Sequence, residues 1–180
     1  MPPKNQRWWL TSDSVSLVVD APAGRIYDLV ADMPRMGEWS NECARVEWTN
    51  GTTAAAPNAT FIGHNHTGPR GFIRWSRPGR VLTAERGREF AFVTEEGGRE
   101  GVVWRYRLEP QGDHTVVTES YEVRWIPTWA RILDVPTNRH RALLKTMRYT
   151  LDQLKTASEG AGATRLDLSG SAAGLETPVE

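Results

Sequence analysis

From residue 43 to residue 123 the chain sets apolar against polar positions with a period of two, and a stretch of helical period lies on either side of this region. Ahead of it, "SVSLVVD" (14–20) alternates Val15, Leu17 and Val19 with polar partners and breaks at Ala21-Pro22, which predicts a strand ending at a proline. "PAGRIYDLVADMPRMGEW" then places Ile26, Leu29, Val30 and Met33 at helical spacing. Pro22 occupies a permitted first-turn position and Pro34 interrupts, so two short helices are expected. The period-two region runs through "CARVEWTNG", "ATFIGHNHTG", "RGFIRWSRPG", "RVLTAERG", "EFAFVTEEGG", "GVVWRYRLEPQGD" and "HTVVTESYEV". Each run is short and ends in Gly, Pro, Asn or Asp, the mark of hairpins in an antiparallel meander, so a curved sheet of six or seven strands is expected. "WIPTWARILDV" (125–135) reads as a short turn or helix. After Pro136, His140, Leu144, Met147, Leu151 and Leu154 recur at steps of four and three, predicting an amphipathic helix of about five turns. Gly160 and Gly162 are expected to stop it.

The fold class is therefore α+β, with the last helix as the only one long enough to cover the apolar side of the sheet. The boundaries predicted are an N-terminal extension over 1–12, one domain over 13–157 and a disordered tail over 158–180, small, polar and poor in aromatics. Within the extension, Trp8 and Trp9 have no firm account beyond packing on the edge of the fold.

Composition narrows the function. Lys plus Arg and Asp plus Glu number 22 each, so no overall field draws in DNA or an anionic membrane. The single Cys43 excludes an internal disulfide and reads as a buried thiol. No signal-peptide run and no apolar segment of about 18 residues occurs, so a soluble, cytoplasmic protein is expected. Eight tryptophans in 180 residues exceed what a core needs and suggest large flat contacts or an aromatic-lined cavity.

Five stretches together carry a resemblance: "VVDAPAGRIYDLVADMPRMGEWSNEC" (18–43), "ATFIGHNHTG" (59–68), "RVLTAERGREFAFV" (80–93), "WRYRLEP" (104–110) and "TVVTESYEV" (115–123). In order and spacing the chain resembles the START-like helix-grip superfamily, which includes the birch-pollen allergen fold and the polyketide cyclase/dehydrase and lipid-transport group, over roughly residues 13–156. The resemblance implies a curved antiparallel sheet gripping a long C-terminal helix around a hydrophobic tunnel. Members bind lipids, sterols, polyketides or other apolar molecules, and only some are enzymes.

His64 and His66, two apart in an extended segment, point the same way and invite a metal reading. The strand they resemble carries charged residues at those positions, which implies that they face solvent while Phe61, Gly63 and Asn65 face the cavity. Gly63 is then small enough to admit the helix or a ligand closely. A third ligand is also wanting, because His114, His140 and Cys43 fall in no recognised spacing with the pair. No metal and no cofactor is expected.

Parity sends Phe90, Phe92 and Thr94 to one side of their strand and Trp104, Tyr106 and Leu108 to one side of the next, with Arg105 and Arg107 outward. The ligand-binding set expected is Trp39, Phe61, Asn65, Trp75, Phe92, Thr94, Trp104, Tyr106, Tyr121 and Met147. Trp39 reads as a gate at the tunnel mouth or a cap on the core. The 125–135 segment reads as a lid or a patch for self-association, which leaves a homodimer open.

Three functions remain. The first is binding of a small hydrophobic molecule, lipid, polyketide-like or aromatic. The second is a cyclase or dehydratase in the same cavity, with Asn65, Thr94, Tyr106, Glu119 and Tyr121 as its polar groups. These form no recognised dyad, and Glu119 reads more readily as outward in a solvated pair with Arg. The third is an interaction module, because Arg124, Arg131, Arg139, Arg141, Lys145, Arg148 and Lys155 face only Asp134 and Asp152 between residues 124 and 155.

Overall fold

The computed structural model describes residues 11–67 and 71–170. Trp8, Trp9 and the last ten residues of the expected tail lie outside them. Seven strands form one antiparallel sheet: β1 (Ser12–Val19), β2 (Cys43–Trp48), β3 (Thr60–Thr67), β4 (Ile73–Glu85), β5 (Glu89–Glu96), β6 (Arg99–Gln111) and β7 (His114–Val123). Their order is β1-β7-β6-β5-β4-β3-β2, so β2 to β7 are a meander and β1 closes against the last strand. The two outer strands are joined by α1 (Ala23–Ala31) and a 3₁₀ segment (Met33–Glu38), which carry the chain across the concave face. The hairpins turn where expected, with Gly87, Gly97, Gly98 and Gly112 all at positive φ, which their lack of Cβ permits.

After α2 (Thr128–Thr137), helix α3 (Arg139–Gly170) lies over β1 and α1. Leu143, Met147, Leu151 and Leu154 are its buried stripe, with Leu143 deeper than the predicted Leu144. The helix-grip architecture is thus present. One boundary is corrected: Gly160 and Gly162 do not stop α3, which runs to Gly170. A glycine costs a helix interior only about 1 kcal/mol relative to alanine, and Ala157, Ala161 and Ala163 around the pair are the best helix formers. Among the described residues no helix is long and apolar enough to cross a membrane.

The 3₁₀ segment sits directly on the edge of β2. A Cβ at Gly37 would stand 2.1 Å from the carbonyl oxygen of Ala44 and 2.9 Å from its carbon, both backbone atoms. Gly37→Ala is therefore expected to cost about 1–3 kcal/mol through forced backbone displacement, read as a lower denaturant midpoint. An unchanged midpoint would mean that the segment is not seated there.

Candidate functional site

Strand register defines the concave face. Trp48, Phe61, Gly79 and Thr94 face one another across β2 to β5, and Phe92, Trp104 and Tyr121 do so across β5 to β7. The aromatics interlock: Phe61 meets Phe92 edge to face at 5.6 Å, Phe92 meets Phe90 at 5.8 Å, and Trp104 meets Tyr121 at 6.0 Å. Offset and edge contacts of this kind add to the area they bury. A Cβ at Gly63 would have ordinary 3.8 Å contacts, whereas one at Gly79 would fall 2.4 Å from the Phe61 ring on the neighbouring strand.

The predicted set divides by depth. Phe61, Phe92, Tyr106, Tyr121 and Met147 are buried on the gripped side, and Trp104 is partly buried between the two core clusters. Trp39 is also buried rather than standing at an open mouth; it packs in the core with Arg35 over its ring at 5.4 Å. Asn65, Trp75 and Thr94 are half-buried at one end of the sheet. There Thr94 donates to the Val102 carbonyl at 3.3 Å, and Asn65 donates to Gly63 at 3.4 Å. Two ion pairs rim that end, Arg77 with Glu96 and Arg139 with Glu42. Arg77 faces inward opposite Gly63, and desolvation together with the nearby Arg139 charge lowers its pKa. Cys43 lies on the adjacent edge, half-buried, and burial pushes its thiol up to about 11, so it is inert at neutral pH.

The chief correction concerns Glu119. It is not outward in a solvated pair with Arg: it is 3 % exposed, directly opposite Tyr106 on the gripped face. The Tyr106 hydroxyl donates to its Oε1 at 3.0 Å, while Oε2 is buried with no hydrogen-bond partner. Burial raises its pKa to about 8, against the lowering effect of the Tyr106 hydrogen bond. Tyr106 is itself held well above its ordinary range by burial and by the adjacent carboxyl. The two therefore form a dyad that holds a neutral carboxylic acid at pH 7 among aromatic rings, able to donate a hydrogen bond. Parity alone could have found it, because Thr115, Val117, Glu119 and Tyr121 alternate in one run and all are buried.

A second polar chain lies two residues on along β7. The Tyr121 hydroxyl is 2.9 Å from His140 Nδ1, and His140 Nε2 stands 3.3 Å from Asp13 Oδ2 without hydrogen-bond alignment. Asp13, opposite Tyr121 on β1, and His140, in the first turn of α3, were not in the predicted set.

His64 and His66 stand on the opposite face of β3 from Phe61, as expected. His64 Nδ1 is 2.9 Å from Ser76 Oγ, and His66 lies opposite Arg74. Among the described residues no group of three or more metal-ligating side chains is gathered. Four of the seven basic residues between 124 and 155 are ion-paired: Arg124 with Glu100, Arg139 with Glu42, Arg148 with Asp152 and Lys155 with Glu159.

The description "Polyketide cyclase / dehydrase and lipid transport" belongs to the family model that matches residues 12–159. Among solved structures, the di-domain ARO/CYC StfQ of the steffimycin biosynthetic pathway superposes with a TM-score of 0.69 at 14% identity, over 89% of this chain and 54% of that one. The di-domain ARO/CYC BexL of the BE-7585A pathway gives 0.63 at 13% identity, over 86% of this chain and 52% of its own. The chain thus spans about half the length of these di-domain proteins. A Polyketide_cyc-like protein from Corynebacterium glutamicum is 25% identical, with a TM-score of 0.54 over 91% of this chain and 97% of that one. No curated protein matches in sequence.

Proposed function

The chain belongs to the polyketide cyclase/dehydrase and lipid-transport family, and from that premise we propose that it binds a small hydrophobic molecule bearing a carbonyl or hydroxyl oxygen on the gripped face of its sheet. The observation that carries this reading is the buried Glu119–Tyr106 pair, whose free carboxyl oxygen lies within an otherwise apolar wall. A buried polar atom without a partner is costly, and a ligand oxygen accepting from the neutral acid would relieve that cost. Phe92, Trp104 and Tyr121, in the next cross-strand row of the same face, supply flat apolar area.

The test is uptake of a neutral naphthylamine probe, followed by energy transfer from tryptophan. Wild type should bind near one equivalent. Trp104→Ala should weaken binding by about tenfold through lost aromatic area. A folded protein that takes up no apolar probe would end this reading.

The same acid favours a second reading, proton transfer to a ligand carbonyl, and the ARO/CYC names of two structural neighbours point in that direction. In that case Glu119→Gln removes turnover and leaves probe binding in place, because the amide keeps the shape and loses the acidic proton. Retained turnover in that variant would leave binding alone.

A further inference from the structure

The end of the sheet at which β2 begins, β3 ends and β4 begins combines two features that the interior does not use. The first is apolar. Phe72 is 87% exposed and Ile73 56% exposed, side by side at the start of β4. Trp129 and Ile132 are likewise exposed on α2, the helix just before Arg139, which pairs with Glu42 at the entry to β2. Large apolar side chains gathered at one end of a domain mark a surface that meets something other than water.

The second is cationic. At the same end of these three strands an open cleft of ≈ 590 Å³ is lined by Arg45, His64, His66 and Arg74 of the outer face and also by Asn65 and Trp75. Arg45 stands opposite His64, and His66 opposite Arg74, so four nitrogen-bearing side chains occupy two adjacent cross-strand rows. Glu47 is 2.6 Å from Arg45 and 3.6 Å from His64 Nε2, so Arg45 is already paired. Arg74 is exposed and has no ion-pair partner among the described residues. It follows Phe72 and Ile73 directly in sequence.

We propose that this end of the molecule docks on an anionic phospholipid surface, with Phe72 and Ile73 entering the acyl boundary while Arg74 at the mouth of the cleft receives a lipid phosphate. Exposed apolar side chains flanked by cations are what an interfacial site requires, because apolar insertion and attraction to anionic headgroups add. A free phosphate compound would use the cleft but not the apolar rim. This inference does not depend on what the interior binds.

The test is flotation of the full chain with vesicles of phosphatidylcholine alone and of equal parts phosphatidylcholine and phosphatidylglycerol. Binding is expected to the mixed vesicles and not to phosphatidylcholine alone. Arg74→Ala should weaken it about fivefold, the effect of one interfacial cation, and the double variant Phe72→Ser/Ile73→Ser about tenfold or more. Both changes lie on exposed side chains, so circular dichroism should show an unchanged fold. Inorganic pyrophosphate serves as the second arm. If it binds the cleft while vesicles of either composition do not bind, the site is one for soluble phosphates and the docking proposal is overturned. Equal binding by wild type and the Phe72/Ile73 variant overturns it as well.

Discussion

Folding stability should fall by about 4–5 kcal/mol as the pH rises from about 4.5 to about 8, owing to Glu119 alone. The sign follows from its proton affinity. In the folded protein the carboxyl holds its proton up to about 8, whereas in the unfolded chain it releases it near 4.5. Between those values the folded state binds the extra proton, so each step up in pH favours unfolding; below the window the cost is absent, and above it the loss is complete. Glu119→Gln, with a neutral amide of similar shape, should abolish this slope and be more stable than wild type above pH 8. Tyr106→Phe should extend the slope to higher pH, since the Tyr106 hydrogen bond is what holds the carboxyl down. Urea denaturation at a series of pH values measures all three. Parallel profiles for wild type and Glu119→Gln would show that the carboxyl is not buried in the folded protein.

Phe90→Ala should cost about 3–5 kcal/mol. Phe90 is fully buried and joins the two sides of the interior, meeting Tyr27 of α1 edge to face at 6.3 Å and Phe92 at 5.8 Å. Removing the ring forfeits its transfer energy and leaves a void in a close-packed cluster that includes the β-branched Val81 and the backbone of the sheet, neither of which collapses freely into it. The chemically identical change at Phe72, 87% exposed, should shift stability by less than about 0.5 kcal/mol. A small loss at Phe90 would mean that the aromatic wall is loosely packed and already encloses usable space.

The strands were legible because each contains one face that must leave water, and a period of two records that requirement position by position. The inward placement of Phe92, Trp104 and Tyr106 follows from it directly, and that of Phe61 from the resemblance of its strand. Glu119 was missed even though it obeys the same parity, because charged side chains are so rarely buried that chemistry outweighed position; its burial depends on Tyr106, a partner thirteen residues away across a hairpin. The Asp13–His140–Tyr121 chain was beyond reach for a different reason. It joins the first strand, the last strand and the last helix, and no local pattern encodes a meeting of segments so far apart. For Trp39 the sequence leaves a gate and a core cap open, and its burial agrees with the cap. The end of α3 is not legible locally, because Gly160 and Gly162 carry a stop signal that the surrounding alanines outweigh.

The pairing of β1 with β7 also bears on the order of events during synthesis. Ser12 is partnered with Glu122 and Val19 with Thr115, a separation on the order of 100 residues. The meander can form hairpin by hairpin as it leaves the ribosome, but the N-terminal strand must wait, with its alternating Val15, Leu17 and Val19 unpaired, until its partner emerges. That interval, rather than any property of the finished molecule, is when this chain is most open to intermolecular strand pairing and most in need of a chaperone.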